Sequence, residues 1–312
     1  MPRKVGFFGP FGTFTEQAVR SQPDLAGLDG STELVAFPSV PDVLDAVAAG
    51  DVDCGVVPIE NSIEGSVSVT LDTLVFEHDL LIQREVDLPI SLNLFAKPGT
   101  TLGDVTTVLS YPHAIAQCRE WLSKKLPGAT IVAANSTAEA AQRVSRSKRS
   151  DQAAIGNALA ARIYGLKKLA AEIEDHPENQ TRFVVVGQGI PAPTGHDKTS
   201  VVCFQRSDRP GSLLGILQEF SARSLNLSKL ESRPTKQSLG DYCFLIDFEG
   251  HVADELVADC LRTLAAKQAR VKFLGSYPVA GQEASVKRSA AGKAWRDATR
   301  WVDELRGQVR PE

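Results

Sequence analysis

The chain has 312 residues, 43% hydrophobic and 23% charged, which is typical of a soluble globular protein and predicts two or three domains. The net charge of -4 argues against a nucleic-acid-binding surface, and no apolar stretch is long enough to span a bilayer. The five cysteines lack metal-binding spacing and lie mostly in apolar runs, so we expect reduced core thiols, no metal and no cofactor. With no apolar signal region after Met1, we expect a cytoplasmic protein.

The first part of the chain alternates predicted strands and helices. Lys4 to Phe8 is a predicted strand, and the glycine-rich loop after it leads into a helix capped by Thr13 or Thr15. A second strand, Leu34 to Phe37, precedes a helix with Ser39 as its N-cap. A sheet assembled in this order is parallel, with helices on both faces.

The stretch from Cys54 to Val67 organises the rest of the chain. Cys54 to Val57 is a predicted buried strand that ends at Pro58, because proline cannot donate to a sheet ladder. A polar turn and a serine N-cap then lead into a helix from Val67 to Phe76. This order of elements is typical of a pocket for a small anion, although an ordinary capped connection has the same pattern. The residues expected at this pocket are Glu60, Asn61, Ser62, Gly65 and Ser66.

The following segments predict a second lobe. Leu80 to Phe95 is strand-like and is expected to cross from one lobe to the other. After a strand at Val105 to Leu109, Pro112 takes the first position of a helix. His113 and Gln117 are four residues apart and share one face of that helix, where they could face a ligand or simply be solvated.

The last strand of the first domain begins with an unusual pair of residues. The valines of residues 183–187 are explained by a buried strand, but Thr181 beside Arg182 at its entrance is not. A linker rich in proline and glycine, residues 191–197, ends this domain of residues 1–190.

A compact βαββαβ pattern covers residues 198–280 and predicts a ferredoxin-like domain, which often pairs with a copy of itself. The charged tail, residues 281–312, contains a candidate helix at 294–305.

Four stretches, in this order and spacing, resemble the prephenate dehydratase family. They are Gly9 to Glu16, Gly55 to Ser62, the Asn179 to Phe183 box, and a tail similar to an ACT domain, with motifs at Gly211 to Leu214 and Leu230 to Pro234. The first effector motif of the family usually reads Gly-Ala-Leu-Val, so Ser212 and Leu214 depart from it mildly. Bifunctional relatives carry a chorismate mutase segment ahead of the first motif, and with a strand beginning at Lys4 we expect none here.

The resemblance implies an α/β fold: a two-lobed catalytic domain of the type 2 periplasmic-binding-protein kind with its active site in the cleft, followed by a ferredoxin-like ACT domain. It also implies the reaction, in which prephenate becomes phenylpyruvate, water and CO2 on the way to phenylalanine. Thr181 is the expected catalytic hydroxyl, acting as a donor within a network, and His113 is the competing acid. The other substrate-binding residues implied are Thr13, Phe14, Glu60, Asn61, Ser62, Gly65, Ser66, Ala114, Gln117, Arg182 and Phe183.

The two substrate carboxylates need positive charge or N–H donors. Helix starts after Gly12, Gly65 and Pro112 are expected to supply the N–H groups, and Arg182 can add charge if it turns into the cleft.

Control by phenylalanine is expected at a site between two ACT domains of a homodimer or homotetramer. The residues implied are Asp208, Arg209, Pro210, Gly211, Ser212, Leu213, Leu214, Asn226, Leu230, Glu231, Ser232, Arg233 and Pro234. Two other functions fit part of the pattern. An arogenate dehydratase differs only in the substrate side chain, and a non-catalytic amino-acid sensor would not need Thr181.

Overall fold

The computed structural model describes residues 2–27, 31–205, 209–236, 240–268, 270–280, 300–302 and 304–308. The chain divides into two compact units. The first comprises Met1–His78 and Val86–Gly187, and the second comprises Asp79–Glu85 and Gln188–Glu312. The sequence assigned residues 79–85 to the first domain, whereas in the structure they pack in the second unit.

The elements up to Gly187 alternate strands with short helices. The strands are β1 (Arg3–Phe8), β2 (Thr32–Phe37), β3 (Cys54–Asn61), β4 (Gly65–Ser66), β5 (Leu81–Pro89), β6 (Asn93–Ala96), β7 (Thr107–Ser110), β8 (Thr130–Ala133), β9 (Gln152–Gly156), β10 (Lys167–Ala170) and β11 (Gln180–Gly187). The helices are α1 (Phe14–Arg20), α2 (Pro23–Ala26), α3 (Val40–Ala49), α4 (Ser68–Asp72, continued by a π-helical turn at Thr73–Glu77), α5 (Pro112–Ala116), α6 (Arg119–Lys125), α7 (Thr137–Arg146) and α8 (Ala158–Ile163).

The strands of the first unit form two sheets. One has the order β2-β1-β3-β11-β5, with β4 paired to β3, and the other has the order β10-β6-β9-β7-β8. The chain passes from the first sheet to the second between β5 and β6, and it returns between β10 and β11. This double crossing gives two α/β lobes, as expected for the periplasmic-binding-protein-like fold.

The helix starts confirm the local reading of the sequence. Thr13 caps α1 by accepting a hydrogen bond from the Glu16 N–H, and Ser39 caps α3 through the Asp42 N–H. α3 packs closely on β3, because a Cβ added at Gly55 would lie 2.6 Å from a methyl group of Val43. Only glycine therefore fits at that point of the strand.

Two boundaries around Pro58 were predicted wrongly. β3 does not end at Pro58 but continues to Asn61. The register shifts here because the consecutive residues Arg182 and Phe183 of β11 pair with Glu60 and Pro58, which leaves Ile59 as a bulge beside the residue without an N–H. Ser66 does not cap the following helix, since it pairs with Glu60 in β4, and α4 begins at Ser68.

The second unit has the predicted βαββαβ order. Its elements are β12 (Asp197–Phe204), α9 (Ser212–Ser221), β13 (Leu227–Pro234), β14 (Tyr242–Glu249), α10 (Glu255–Lys267) and β15 (Arg270–Pro278). The sheet order β13-β14-β12-β15 confirms the ferredoxin-like arrangement. Its core joins both helices to the sheet, with Phe220 and Phe248 in edge-to-face contact at 5.0 Å. The predicted tail helix falls largely outside the described residues, of which 300–302 and 304–306 are helical.

Within the second unit, buried polar contacts join the segment 79–85 to the rest of the unit. The Lys198 ammonium lies 2.9 Å from the Glu85 carboxylate, and these side chains are 7% and 1% exposed. Glu85 also accepts a hydrogen bond from the Ala280 N–H at 3.0 Å. A Cβ at Gly275, where φ is +145°, would lie 2.3 Å from the Ile82 carbonyl oxygen, so β15 meets this segment backbone to backbone.

All five cysteines are buried as free thiols, as the sequence predicted. Burial raises the pKa of Cys203 and of Cys260 to about 12, so these thiols stay protonated at neutral pH. In the described part of the chain, no helix is both long and apolar enough to cross a membrane.

Candidate active site

A hydrogen-bond network lies where β3 ends and β11 begins. Thr181 stands directly opposite Asn61 in the register of the two strands, and the Asn61 Nδ2 donates to Thr181 Oγ1 at 2.9 Å. The Asn61 Oδ1 accepts from the backbone N–H groups of Ile63 and Glu64, both at 3.0 Å. These two bonds identify which end of the Asn61 amide is the oxygen, and Nδ2 is the end that faces Thr181. Because Thr181 Oγ1 accepts from Asn61, its own proton is available for another acceptor.

Asn179 extends this network, although the sequence predicted no role for it beyond its place in the motif. It is 1% exposed, and its Oδ1 accepts from Asn61 Nδ2 at 2.8 Å and from Ser62 Oγ at 3.5 Å. Its Nδ2 donates to Gln117 Oε1 at 2.9 Å. Gln117 is the C-cap of α5 in the other lobe, so the network crosses from one lobe to the other.

His113 and Gln117 both reach Glu64, as their spacing on one helix face allows. The His113 Nδ1 lies 2.8 Å from the Glu64 carboxylate, and the Gln117 Nε2 lies 3.5 Å from it. The Tyr111 ring stacks on the His113 ring at 5.2 Å between centroids. Glu64, a negative charge among the residues expected to hold a dianion, was missed in the sequence because it looked like an ordinary turn residue.

Arg182 and Glu60 belong to a separate group. Arg182 lies opposite Glu60 across β3 and β11, with an N–O distance of 3.0 Å, and its Nε is 3.4 Å from Asp87 on β5. Consecutive strand residues point to opposite faces of a sheet. This three-strand ladder therefore lies on the other face from Thr181 and Asn61, and the structure does not bring the two groups together.

The first glycine-rich loop is internally satisfied. The Thr13 hydroxyl donates to the Phe8 carbonyl oxygen at 3.0 Å and accepts from the Glu16 N–H. The fully buried Glu16 carboxylate accepts from the Gly12 N–H and from Arg20. The Gly12 N–H expected to bind a substrate carboxylate is thus already occupied.

Other predicted substrate-binding residues frame the site. Phe183 and Ala114 are buried in the hydrophobic core of the first unit, and Phe14 packs against that core. Gly65 adopts a positive φ of +81° opposite Asn61, where it turns the chain into β4, and Ser66 follows it in that strand. The structure therefore places the three apolar residues in or against the core and the other two in the short strand beside Asn61.

A cavity of about 370 Å³ in the second unit coincides with the first predicted effector motif. Its lining includes Arg209, Gly211, Ser212, Leu213 and Leu214, which the sequence named, and Gln205, Leu217 and Phe244, which it did not. The Gln205 Oε1 is buried without a hydrogen-bond partner among the described residues. The cavity is therefore lined by both polar and apolar residues of the first effector motif and its surroundings.

The second effector motif lies on β13, at one edge of the sheet, and does not line this cavity. Arg233 is buried and pairs with Glu231 at 2.7 Å, while Asn226 donates to Glu249. Leu230, Ser232 and Pro234 are exposed on this edge strand. Pro210 lies in the turn before α9, and Asp208 lies outside the described residues.

Comparison with known proteins assigns both units. The family model described as Prephenate dehydratase matches residues 5–190, and that of the ACT domain matches residues 199–266. Prephenate dehydratases of Mycolicibacterium vanbaalenii and Amycolatopsis methanolica are 43% and 41% identical, covering 97% and 96% of this chain and 98% and 96% of those proteins. The crystal structure of an Arthrobacter aurescens prephenate dehydratase in complex with L-Phe has a TM-score of 0.87, with 41% identity over 97% of this chain and 99% of that one. The chain therefore belongs to the prephenate dehydratase family and carries an ACT domain.

Proposed function

We propose that the Asn61–Thr181 network carries out the dehydration step of prephenate dehydratase, the activity of the family to which the chain belongs. The observation that carries this assignment is the hydrogen bond from Asn61 Nδ2 to Thr181 Oγ1. A hydroxyl that accepts from a fixed amide directs its own proton elsewhere, and here that proton serves the departing ring hydroxyl of prephenate.

The reaction removes two groups from one ring. The C–C bond to the ring carboxylate breaks, its electron pair enters the ring as the aromatic system forms, and the C–O bond to the hydroxyl breaks. The departing oxygen takes up a proton and leaves as water, the carboxylate leaves as CO2, and phenylpyruvate remains. Because aromatisation drives the electron flow, the protein needs only to orient the ring and to stabilise the leaving oxygen.

Thr181 is a weak acid, so it acts as a hydrogen-bond donor and not as the lone proton source. His113, held at 2.8 Å from Glu64, is the alternative proton donor. Gln117 and the first-turn N–H groups of α5 at His113 and Ala114 are the proposed contacts for a substrate carboxylate. Arg182 is already engaged by Glu60 and Asp87, and its proposed role is to hold three strands in register below the site.

Residues 198–280 form the proposed regulatory domain, and residues 1–190 the catalytic one. The cavity lined by Arg209 and Gln205 is the proposed L-phenylalanine site, in keeping with the L-Phe complex of the Arthrobacter relative. The exposed edge strand β13 is the proposed contact with a second copy, giving a homodimer or homotetramer in the cytoplasm. The family match supports the dehydratase over a non-catalytic sensor.

The test is phenylpyruvate formation from prephenate by the full chain, with and without phenylalanine. We expect turnover that phenylalanine suppresses. Turnover that is insensitive to phenylalanine would keep the enzyme and refute the effector site. Activity with arogenate but not prephenate would assign the neighbouring substrate, and no activity with either would contradict the proposed chemistry.

A further inference from the structure

Asn179 lies in one of the two connections between the lobes of the first unit. The chain crosses between the two lobes at residues 90–92 and again at residues 171–179. The Ile90 N–H donates to the Asn179 carbonyl oxygen at 2.9 Å, and the Ile173 N–H donates to the Leu92 carbonyl oxygen at 2.8 Å. The two crossings are thus a hydrogen-bonded pair, and Asn179 lies at the end of it that meets β11.

The side chain of Asn179 uses both halves of its amide. Its carbonyl oxygen accepts from Asn61, and its NH2 group donates to Gln117. The direction of donation along this chain of hydrogen bonds is set by the groups at its two ends. At one end Gln117 Nε2 faces the Glu64 carboxylate, and at the other the Asn61 Oδ1 is held by two backbone N–H groups. Reversing the Asn179 amide would place two NH2 groups against each other, so a single orientation satisfies every partner.

We propose that Asn179 is a positioning residue that orients Asn61, and through it Thr181, while holding Gln117 of the opposite lobe. This inference rests on the proposed function, because it assigns Asn179 to the chemistry of Thr181. Asn179 is almost completely buried, so we assign it a positioning role and no direct contact with the substrate. Its effect passes through Asn61, whose Nδ2 lies between Asn179 Oδ1 and Thr181 Oγ1.

A double-mutant cycle tests whether Asn179 acts on Thr181 through Asn61. We expect Asn179→Ala to lower kcat on the order of a hundredfold, because a displaced reacting group costs about that much, with a much smaller change in KM. In an Asn61→Ala background, Asn179→Ala should lower kcat little further. Two effects that multiply would overturn the proposal. Asn93→Ala is the matched control, since Asn93 is also buried and bonds to Ser91 and the Glu172 N–H, outside the network.

The pH dependence of kcat in Asn179→Asp distinguishes the positioning role from a purely structural one. This variant also tests the proposal if Asn179→Ala fails to fold. A protonated aspartic acid has the carbonyl acceptor and one donor of the amide it replaces, whereas the ionised form has no donor for Gln117. The kcat of Asn179→Asp relative to wild type should therefore rise as the pH falls. Glu64 and His113, the charged groups beside Gln117, are present in both proteins, so the ratio removes their contribution. A ratio that is constant with pH would contradict the proposal.

A crystal structure of Asn179→Ala separates this inference from the proposed function, because it requires no turnover. Loss of the Asn61–Thr181 contact supports the positioning role, and retention of that contact overturns it. Absence of prephenate turnover by the wild-type chain would instead refute the proposed function.

Discussion

Arg182 lies directly opposite Glu60 in the register of β3 and β11, and its guanidinium is 3.0 Å from the Glu60 carboxylate. Asp87, on the next strand, approaches the same guanidinium at 3.4 Å. Both carboxylates thus engage the one guanidinium, and their contacts connect three neighbouring strands.

Replacing Arg182 by glutamine should affect stability more than catalysis. All three side chains are about a third exposed, so we expect a loss of about 1 kcal/mol, seen as a lowering of Tm by about 2–4 °C. The value of kcat/KM should fall less than about tenfold, since the contact is not made in the transition state. A fall above about a hundredfold with an unchanged Tm would show instead that Arg182 contacts the substrate.

Removing the hydroxyl of Thr181 should abolish most of the turnover. We expect Thr181→Ala to lower kcat by about 10²- to 10³-fold, the usual cost of losing one donor to a developing charge. Thr181→Ser keeps the hydroxyl and should remain within about tenfold of wild type. Steady-state kinetics on both variants, with thermal unfolding as the control for folding, checks this pair. Equal activity in the alanine and serine variants would remove Thr181 from the mechanism.

The role of His113 can be separated from that of Thr181 by the pH profile. If Thr181 is the donor, His113→Gln should lower kcat less than Thr181→Ala and leave the shape of the profile in place. Glu64→Gln, which removes the negative partner of His113, should likewise leave the shape unchanged. Loss of one limb of the pH profile in His113→Gln would identify His113 as the acid.

Breaking the buried pair of Lys198 and Glu85 should be costly. Lys198→Met leaves the Glu85 carboxylate in the interior without its ammonium partner, and we expect a loss of about 3–5 kcal/mol in the free energy of unfolding. The double variant Lys198→Met with Glu85→Gln should lose less than the sum of the single changes, because no unpaired charge remains. Urea unfolding of the full chain measures all three, and strict additivity would argue against the pair.

The second unit should lose stability in acid. The Lys267 ammonium, and with it Arg223, lowers the pKa of the Glu219 carboxyl, which joins α9 to α10. Since the folded pKa lies below the unfolded one, this contribution is complete above the ordinary value of 4.5 and is lost as the pH falls through the folded pKa. Unfolding free energies at pH 7 and about pH 3 should therefore differ less in Glu219→Gln than in wild type. Identical pH dependence in the two proteins would contradict this assignment.

The sequence predicted best what depends on neighbouring residues. The caps at Thr13 and Ser39 mark helix starts that the structure confirms, because a cap is a contact across three residues. The boundary at Pro58 failed because β3 continues past it through a bulge at Ile59, whose neighbours Pro58 and Glu60 pair with the consecutive residues Phe183 and Arg182. The strand is extended by its pairing with β11, more than 120 residues further along the chain.

The partners within the candidate site were harder to predict. Asn179 and Gln117 are 62 residues apart, and Asp87 and Arg182 are 95 residues apart. Such pairs depend on which strands become neighbours, and local hydrophobic periodicity does not specify the order of the strands in a sheet. The motifs named Thr181, Asn61 and Gln117, but which of their partners would satisfy which polar atom became visible only once β3, β11 and α5 were placed.

Strand β5 is shared, since residues 81–85 belong to the second unit and residues 86–89 to the first. The regulatory unit therefore cannot be removed intact by a single truncation or added intact by a single fusion. A chain ending at Gly187 would keep Glu85 and lose Lys198, and a fragment beginning at Gln188 would keep Lys198 and lose its carboxylate. For this chain, acquiring or losing regulation in evolution requires matching changes in the middle of the catalytic sequence as well as at its end.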